Sequence, residues 1–306
     1  MNGHEIIVNL LLATGKVDAD LKDKSNCTPL SLAVEKGHEA IVKLLLATGK
    51  VDADSKDKDN RTPLLWAAEN GHETIIKLLL ATGKVDADSK DKDNWTPLFC
   101  AAENGYENIV KLLLATGKVD ADSKDKNNRT PLFCAAGNGH ENIVKLLLAT
   151  GKVDADSKDK DNQTPLMQAA GNGYETIFKL LLATGKVDAD SKDKNNRTPL
   201  FYAAGNGYET IVKLLLATGK VDADSKDKDN QTPLMQAAGN GYVTIVILLL
   251  ETGYVRTDSE DKNNNTAFSL ATKKEHRAVV EVFLLYWEQQ RRLKSNLSVF
   301  QWGSHS

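Results

Sequence analysis

The chain has 306 residues, a net charge of −3 and a pI of about 6.1, so it carries no electrostatic footprint for nucleic acid or an anionic membrane surface. Its three cysteines, Cys27, Cys100 and Cys134, form neither an even disulfide framework nor a metal-ligand spacing, and they suit a reducing, intracellular and cytoplasmic setting. No segment approaches the ~20 consecutive apolar residues of a membrane span, and residues 1–5 lack the basic-then-apolar order of a secretory leader.

The first predicted element is a helix over 5–13, apolar at Ile6, Ile7, Leu10 and Leu11. Asn2-Gly3-His4-Glu5 before it matches the middle of later repeats, so residues 1–22 read as a truncated half repeat whose helix lacks a partner on its N-terminal side and frays first. Thereafter Thr-Pro-Leu begins at Thr28, Thr62, Thr96, Thr130, Thr164, Thr198 and Thr232, with a degenerate Thr-Ala-Phe at Thr266. The period is 34, and one stacked array is a better domain count than two globular bodies, because a solenoid buries its core between neighbours. Eight units are expected: 23–56, 57–90, 91–124, 125–158, 159–192, 193–226, 227–260 and a capping 261–294. The cap has a polar outer surface at Lys273, Lys274, Glu275, Arg277 and Glu281. Residues 295–306 form a tail with Val299, Phe300 and Trp302 that either docks on the cap or stays unstructured.

Within 57–90, Thr62 is a good N-cap and Pro63 sits at the first helical position, where its missing amide hydrogen is not needed. The first helix presents small Ala67 and Ala68 and stops at Gly71. The second runs from about His72 to Ala81, apolar on more than one side at Ile75, Ile76, Leu78, Leu79 and Leu80. Gly83 closes it in the left-handed conformation. Lys84 to Asn94 is rich in Asp, Lys and Ser and must reverse direction, which predicts a long hairpin-like turn.

Asp-x-x-Asn-x-Thr-Pro-Leu-x-x-Ala-Ala-x-x-Gly-His followed by a leucine-rich helix resembles the ankyrin repeat. The resemblance implies an all-α repeat solenoid, a curved stack of helix-turn-helix units with a concave face built from inner helices and turn tips. It also implies a non-catalytic protein-binding role. Two departures are visible. The histidine usual after Thr-Pro-Leu, with its inter-repeat bond, is absent; and the glycine usual before Thr-Pro is replaced by asparagine, from Asn26 to Asn264, the residue that best tolerates positive φ after glycine. The near-identical repeats are also similar to those of fungal ankyrin proteins, including sensor regions of nucleotide-binding immune-type receptors, which implies the sensor part of a larger chain.

Several apparent motifs dissolve under the repetition. The Asn-x-Thr sequons are turn residues, followed by proline in all but one case. The Thr-Gly-Lys segments lack the upstream glycine of a phosphate loop. Asp52-Ala53-Asp54-Ser55-Lys56-Asp57 has lysine at the fifth position of a would-be calcium loop. His38, His72, His140 and His276 are exchanged for Tyr106, Tyr174, Tyr208 and Tyr242, as no ligand or catalytic base would be. No cofactor, no metal and no enzymatic activity are therefore expected.

Variation between repeats carries more information than their sameness. Units 125–158 and 193–226 differ only at Cys134 against Tyr202, His140 against Tyr208 and Asn142 against Thr210. Elsewhere it gathers before Thr-Pro (Arg61, Trp95, Arg129, Gln163, Arg197, Gln231) and at the two residues after Thr-Pro-Leu (Leu65 and Trp66, Phe99 and Cys100, Phe133 and Cys134, Met167 and Gln168, Phe201 and Tyr202, Met235 and Gln236). It recurs after Ala-Ala, at Glu69 and Glu103. A packed core could not trade Cys for Trp without compensation, since overpacking costs about 1–3 kcal/mol, so these positions are expected to be exposed. The alternative is that the residue directly after Thr-Pro-Leu packs between inner helices. The aromatic, Met and Arg enrichment is that of an interface centre. The expected function is a scaffold or sensor, a monomer binding a protein partner on its concave face, with no nucleic acid or membrane partner. The alternative is a purely structural spacer.

Overall fold

The computed structural model describes residues 4–302, with side chains described from 5 to 293. Seventeen helices and no strand occur among the described residues, so the chain is an all-α repeat solenoid. It divides into two compact units, 1–160 and 161–306. Unit 1 holds α1 (His4–Ala13), α2 (Pro29–Glu35), α3 (Glu39–Ala47), α4 (Pro63–Glu69), α5 (Glu73–Ala81), α6 (Pro97–Glu103), α7 (Glu107–Ala115), α8 (Pro131–Gly137) and α9 (Glu141–Ala149). Unit 2 holds α10 (Pro165–Asn172), α11 (Glu175–Ala183), α12 (Pro199–Asn206), α13 (Glu209–Ala217), α14 (Pro233–Gly239), α15 (Val243–Glu251), α16 (Ala267–Lys273) and α17 (Arg277–Trp302).

Each complete repeat is one short inner helix beginning at Thr-Pro and one leucine-rich outer helix. The threonine accepts a hydrogen bond from the third residue of the helix, as Thr62 does from the Leu65 amide at 3.3 Å, satisfying one of the first-turn donors that no carbonyl reaches. Inner helices pack on inner helices of the next repeat within a unit, through fully buried pairs such as Ala67–Ala68 and Ala101–Ala102. Outer helices bury Ile75, Ile76 and Leu79, or their equivalents, against the inner layer.

The turns contain no strand. Their frame is an aspartate whose carboxylate reaches back into the loop: Asp57 Oδ1 accepts from the Asp59 and Arg61 amides at 2.8 and 2.9 Å, and the asparagine that follows sits at φ 61°. A single backbone bond ties successive turns, from the Lys92 amide to the Asp59 carbonyl at 2.9 Å in unit 1 and from Lys194 to Asp161 at 2.8 Å in unit 2. Hairpin ladders, anticipated from the long loops, are replaced by this side-chain scaffold.

Helix α1 exposes Ile6, Ile7, Leu10 and Leu11, whereas Ile75, Ile76 and Leu79 in α5 are shut away beneath their own inner helix. At the other end α17 runs without a break from Arg277 to Trp302, so the last helix passes through residue 294, where the tail was expected to begin. Side chains at Val299, Phe300 and Trp302 lie outside the described residues. Phe268, Phe283 and Trp287 make an aromatic cluster that ties α16 to α17, with centroids 5.0–6.0 Å apart.

Candidate functional site

Variable residues occupy the tips of the turns and the adjoining face of the inner helices, and the same aspartate that frames each turn also aims them. In unit 1, Asp57 fixes the Arg61 backbone, and the Arg61 guanidinium lies over the Trp66 ring, 4.6 Å from its centroid. Arg61 Nη1 donates to Glu69 Oε2 at 2.9 Å, its Nε stands 3.6 Å from the buried Asp91 carboxylate, and Trp66 Nε1 donates to Asp57 Oδ2 at 3.3 Å. One repeat on, Trp95 packs on Phe99 at 5.2 Å. Arg129 is clamped by Asp125, with Nε and Nη2 at 2.9 and 2.8 Å from Oδ2, and its guanidinium lies 5.6 Å from the Phe99 centroid.

Unit 2 puts glutamine at two of these places, and keeps arginine at one. Gln168 Nε2 donates to Gln163 Oε1 (2.8 Å), Gln163 Nε2 to the Tyr202 hydroxyl (3.1 Å), and that hydroxyl to Asp193 Oδ2 (2.6 Å). Burial, with the Asp193 carboxylate beside it, pushes the Tyr202 phenol up to about 12. Gln236 repeats the pattern on Gln231 at 2.5 Å. Arg197 lies over Phe201, 5.5 Å from its centroid, with its Nε 3.6 Å from the Asp227 carboxylate.

The expectation of exposure fails at eight of the twenty positions. Leu65, Phe99, Cys100, Phe133, Cys134, Met167, Phe201 and Met235 are all buried. Residues directly after Thr-Pro-Leu point between inner helices, and they vary without creating voids because their neighbours vary with them: Phe99, Phe133 and Cys134 form one apolar cluster covered by Trp95. Arg61, Trp66, Glu69, Trp95, Glu103, Arg129, Gln163, Gln168, Arg197, Tyr202, Gln231 and Gln236 retain accessible surface.

Two features of the inner surface had no reading in the sequence. Within each unit, from α5 onward in unit 1 and from α13 onward in unit 2, the ring at the start of an outer helix covers a glycine of the preceding repeat: a Cβ on Gly71 would stand 2.7 Å from Tyr106 Cε1, and Gly71 also lies at φ +76°, so no other residue fits there. His140 Nε2 meets the Glu103 carbonyl at 3.1 Å, joined by Asn138 Nδ2 at 2.9 Å. These bonds, with Asn206 on Gly171 and Asn240 on Gly205 at 2.7 and 2.9 Å, link neighbouring repeats without the missing histidine. The signal was in the sequence: His or Tyr always stands 35 residues after a glycine, as with Gly37 and His72 or Gly173 and Tyr208.

Chemically the surface is equipped to bind. Burial pushes the Cys100 and Cys134 thiols well above their ordinary range, aided by Glu69 and Glu103 respectively, which leaves both protonated and inert as nucleophiles. No group of three or more His, Cys, Asp or Glu able to hold a metal occurs among the described residues, nor is any described helix long and apolar enough to cross a membrane. An apolar cavity of about 460 Å³ between α15 and α17, lined by Ile247, Leu250, Val282, Leu285 and Tyr286 among others, lies in the outer layer, away from the variable surface.

Tandem two-helix units with an inner layer that varies at the turn tips define a helical repeat protein. The family model for ankyrin repeats in three copies matches residues 1–91, 83–159, 148–227 and 218–292. The chain belongs to the ankyrin repeat family, whose members are in general protein–protein interaction modules. No curated protein matches it.

Proposed function

We propose that this chain is a non-catalytic recognition module that holds a protein partner on its inner, concave face, as a monomer and as scaffold or sensor within the cytoplasm. One observation carries the reading: on a skeleton repeated almost residue for residue, accessible variation gathers at turn tips and inner helices, with only lesser exchanges such as Asn142 for Thr210 on the outer helices, and there it consists chiefly of Trp, Tyr, Arg, Gln and Glu. Trp, Tyr and Arg are the side chains most enriched at the energetic centres of interfaces. The accessible twelve, from Arg61 to Gln236, are the contact candidates. The buried eight, among them Phe99 and Met167, support them from below. Arg61 and Arg129 are already held by carboxylates and stacked on rings, so a partner would find them in place and little ordering entropy would remain to be lost. Net charge of −3 and three free cysteines support a protein partner in a reducing compartment over nucleic acid.

The test is partner capture with the intact chain and with a chain carrying Trp66→Ala, Trp95→Ala, Gln168→Ala and Tyr202→Ala, none of which is among the buried eight. The variant should lose the selected partner while melting as a folded array. Capture of the same partner with undiminished affinity by the folded variant would overturn the assignment, and a chain that selects no partner at all would be a spacer.

A further inference from the structure

Repeats two and three carry Glu69 and Glu103 after Ala-Ala, whereas the four units from 125 to 260 carry glycine there. In unit 1 the space above α4 is filled, because Glu69 reaches up to Arg61 at 2.9 Å and Arg61 lies on Trp66. In unit 2 the equivalent side chain is gone at Gly171, and a cavity of about 300 Å³ opens there, lined by Gln163, Met167, Gln168, Gly171, Asn172, Tyr202 and Asn206. None of these seven side chains is charged. Met167 is buried and supplies an apolar floor; a Cβ placed on Gly171 would lie 3.7 Å from Tyr202 Cβ and Cδ1, so the glycine backbone and the tyrosine stand side by side.

The polar groups are held in fixed directions. Gln168 donates to Gln163, Gln163 to Tyr202 and Tyr202 to Asp193, which leaves the Gln168 Oε1 acceptor and its second N–H for a guest. Asn206 is anchored through Nδ2 on the Gly171 carbonyl, with its Oδ1 remaining as an acceptor. A donor and an acceptor on one planar group are complementary to another carboxamide or a peptide group, which can exchange both hydrogen bonds at once. A charged guest would be desolvated without a counter-charge in the lining; a purely aliphatic guest would strand Gln168.

We propose that this cavity is a carboxamide subsite: it takes an asparagine or glutamine side chain, with its adjoining peptide group, from an extended segment of the protein partner. The inference rests on the inner face being the binding face and adds the chemistry that it selects in unit 2.

The experiment uses the intact chain and the capped peptide acetyl-Ala-Ala-Gln-Ala-Ala-amide, followed by amide chemical shifts including the side-chain NH₂ signals of Gln163, Gln168 and Asn206. The peptide should produce saturable shifts at those signals, and versions with Glu or Leu at the centre should bind about tenfold more weakly, the size of one or two lost neutral hydrogen bonds. Gly171→Glu, which restores the residue found at Glu69 and Glu103, should fill the cavity and abolish the shifts, while Gly171→Ala should keep them. Gln168→Ala, a change to a stronger helix former within α10, gives the same loss without filling the cavity, so a folding defect in Gly171→Glu cannot imitate the result. Equal binding of the three peptides, no binding of the Gln peptide, or binding that survives both Gly171→Glu and Gln168→Ala would overturn the subsite. Should the peptides fail while the multiply substituted inner face still loses its partner, the carboxamide inference falls and the inner-face reading stands.

Discussion

Phe99→Ala separates support from contact on the inner face. The Phe99 ring has no exposed surface, sits in one cluster with Phe133 and Cys134, meets Trp95 at 5.2 Å and carries the Arg129 guanidinium at 5.6 Å. Removing a buried phenylalanine costs about 3–5 kcal/mol, and the Arg129 contact adds about 0.5–1 kcal/mol at a half-exposed site. Trp95 is only partly buried and can tilt into the space, which places the expected loss near the lower end, about 3 kcal/mol. Because each repeat contacts only its neighbours, the loss falls on the α4–α6 and α6–α8 interfaces. Equilibrium urea unfolding followed by tryptophan fluorescence reads it, since Trp95 reports from the cluster itself, and hydrogen exchange along α6 locates it. Trp66→Ala, which removes a partly buried ring with one hydrogen bond to Asp57 and the Arg61 guanidinium over it, should cost clearly less. A Phe99→Ala loss below about 1 kcal/mol, or an equal loss for Trp66→Ala, would show that the ring is not the support described.

Gly205→Ala should stabilise unit 2 by about 0.5–1 kcal/mol, because a Cβ there meets only ordinary contacts, 3.4 Å to Gln236 Oε1 and 3.6 Å to its Cβ; a lower midpoint in urea would refute the helical assignment. Asp54, Asp88 and Asp122 have carboxyls raised by burial and by the aspartate of the next repeat, although that residue's amide donates to each at 3.2–3.3 Å. An acid raised in the folded state contributes stability that is full below its unfolded value near 3.8 and is lost as pH rises through the folded value. Asp88→Asn should therefore stabilise at neutral pH by a few tenths of a kcal/mol, about what a screened surface charge supplies, and the gain should vanish in melts near pH 4. Tyr202 obeys the same sign: its contribution is full below 10 and lost through about 12, so one tyrosine should ionise late in an ultraviolet titration and Tyr202→Phe should remove that step. In α1, with Ile6 and Leu10 uncovered, amides should exchange before those of α3, and uniformly slow exchange from residue 5 would contradict this.

The array was legible because its signals are local and repeated. Thr-Pro starts, glycine stops and the asparagine before Thr-Pro each solve a backbone problem within a few residues, and the structure places all eight of those asparagines at φ 58–62°. Burial of Phe99 and Met235, directly after Thr-Pro-Leu, was legible only as the alternative reading, and that of Cys100 and Cys134 was not, because it depends on which residue of the next repeat lies across the interface. Variation reads as a mark of exposure in sequence, but two buried positions can vary together: Phe99 packs with Phe133 and Cys134 in one cluster, so the fill is shared between repeats. The carboxylate frame of the turns was missed for a different reason. Asp57, Asp91 and Asp125 look like ordinary solvated turn residues in sequence, yet all three are buried, because each spends Oδ1 on amides of its own loop and turns Oδ2 to a Trp or Arg side chain of the inner face.

That frame explains why accessible variation ends up where it does. Asp57, Asn60, Thr62 and Pro63 are occupied with turning the chain and starting a helix; Ala67 and Ala68 with the approach of the next inner helix; Gly71 with the ring of Tyr106; Ile75, Ile76 and Leu79 with the core. Exchange at any of them breaks a hydrogen bond, a left-handed turn or a packed contact. Positions 61, 66 and 69 and their equivalents make none of these backbone-defining contacts, so they tolerate Arg, Trp, Gln or Gly on one skeleton. The same backbone can thus present ion-paired aromatics in unit 1 and neutral amides around a vacated glycine in unit 2. Substituting at those three positions alone should therefore move partner choice while leaving the stack intact.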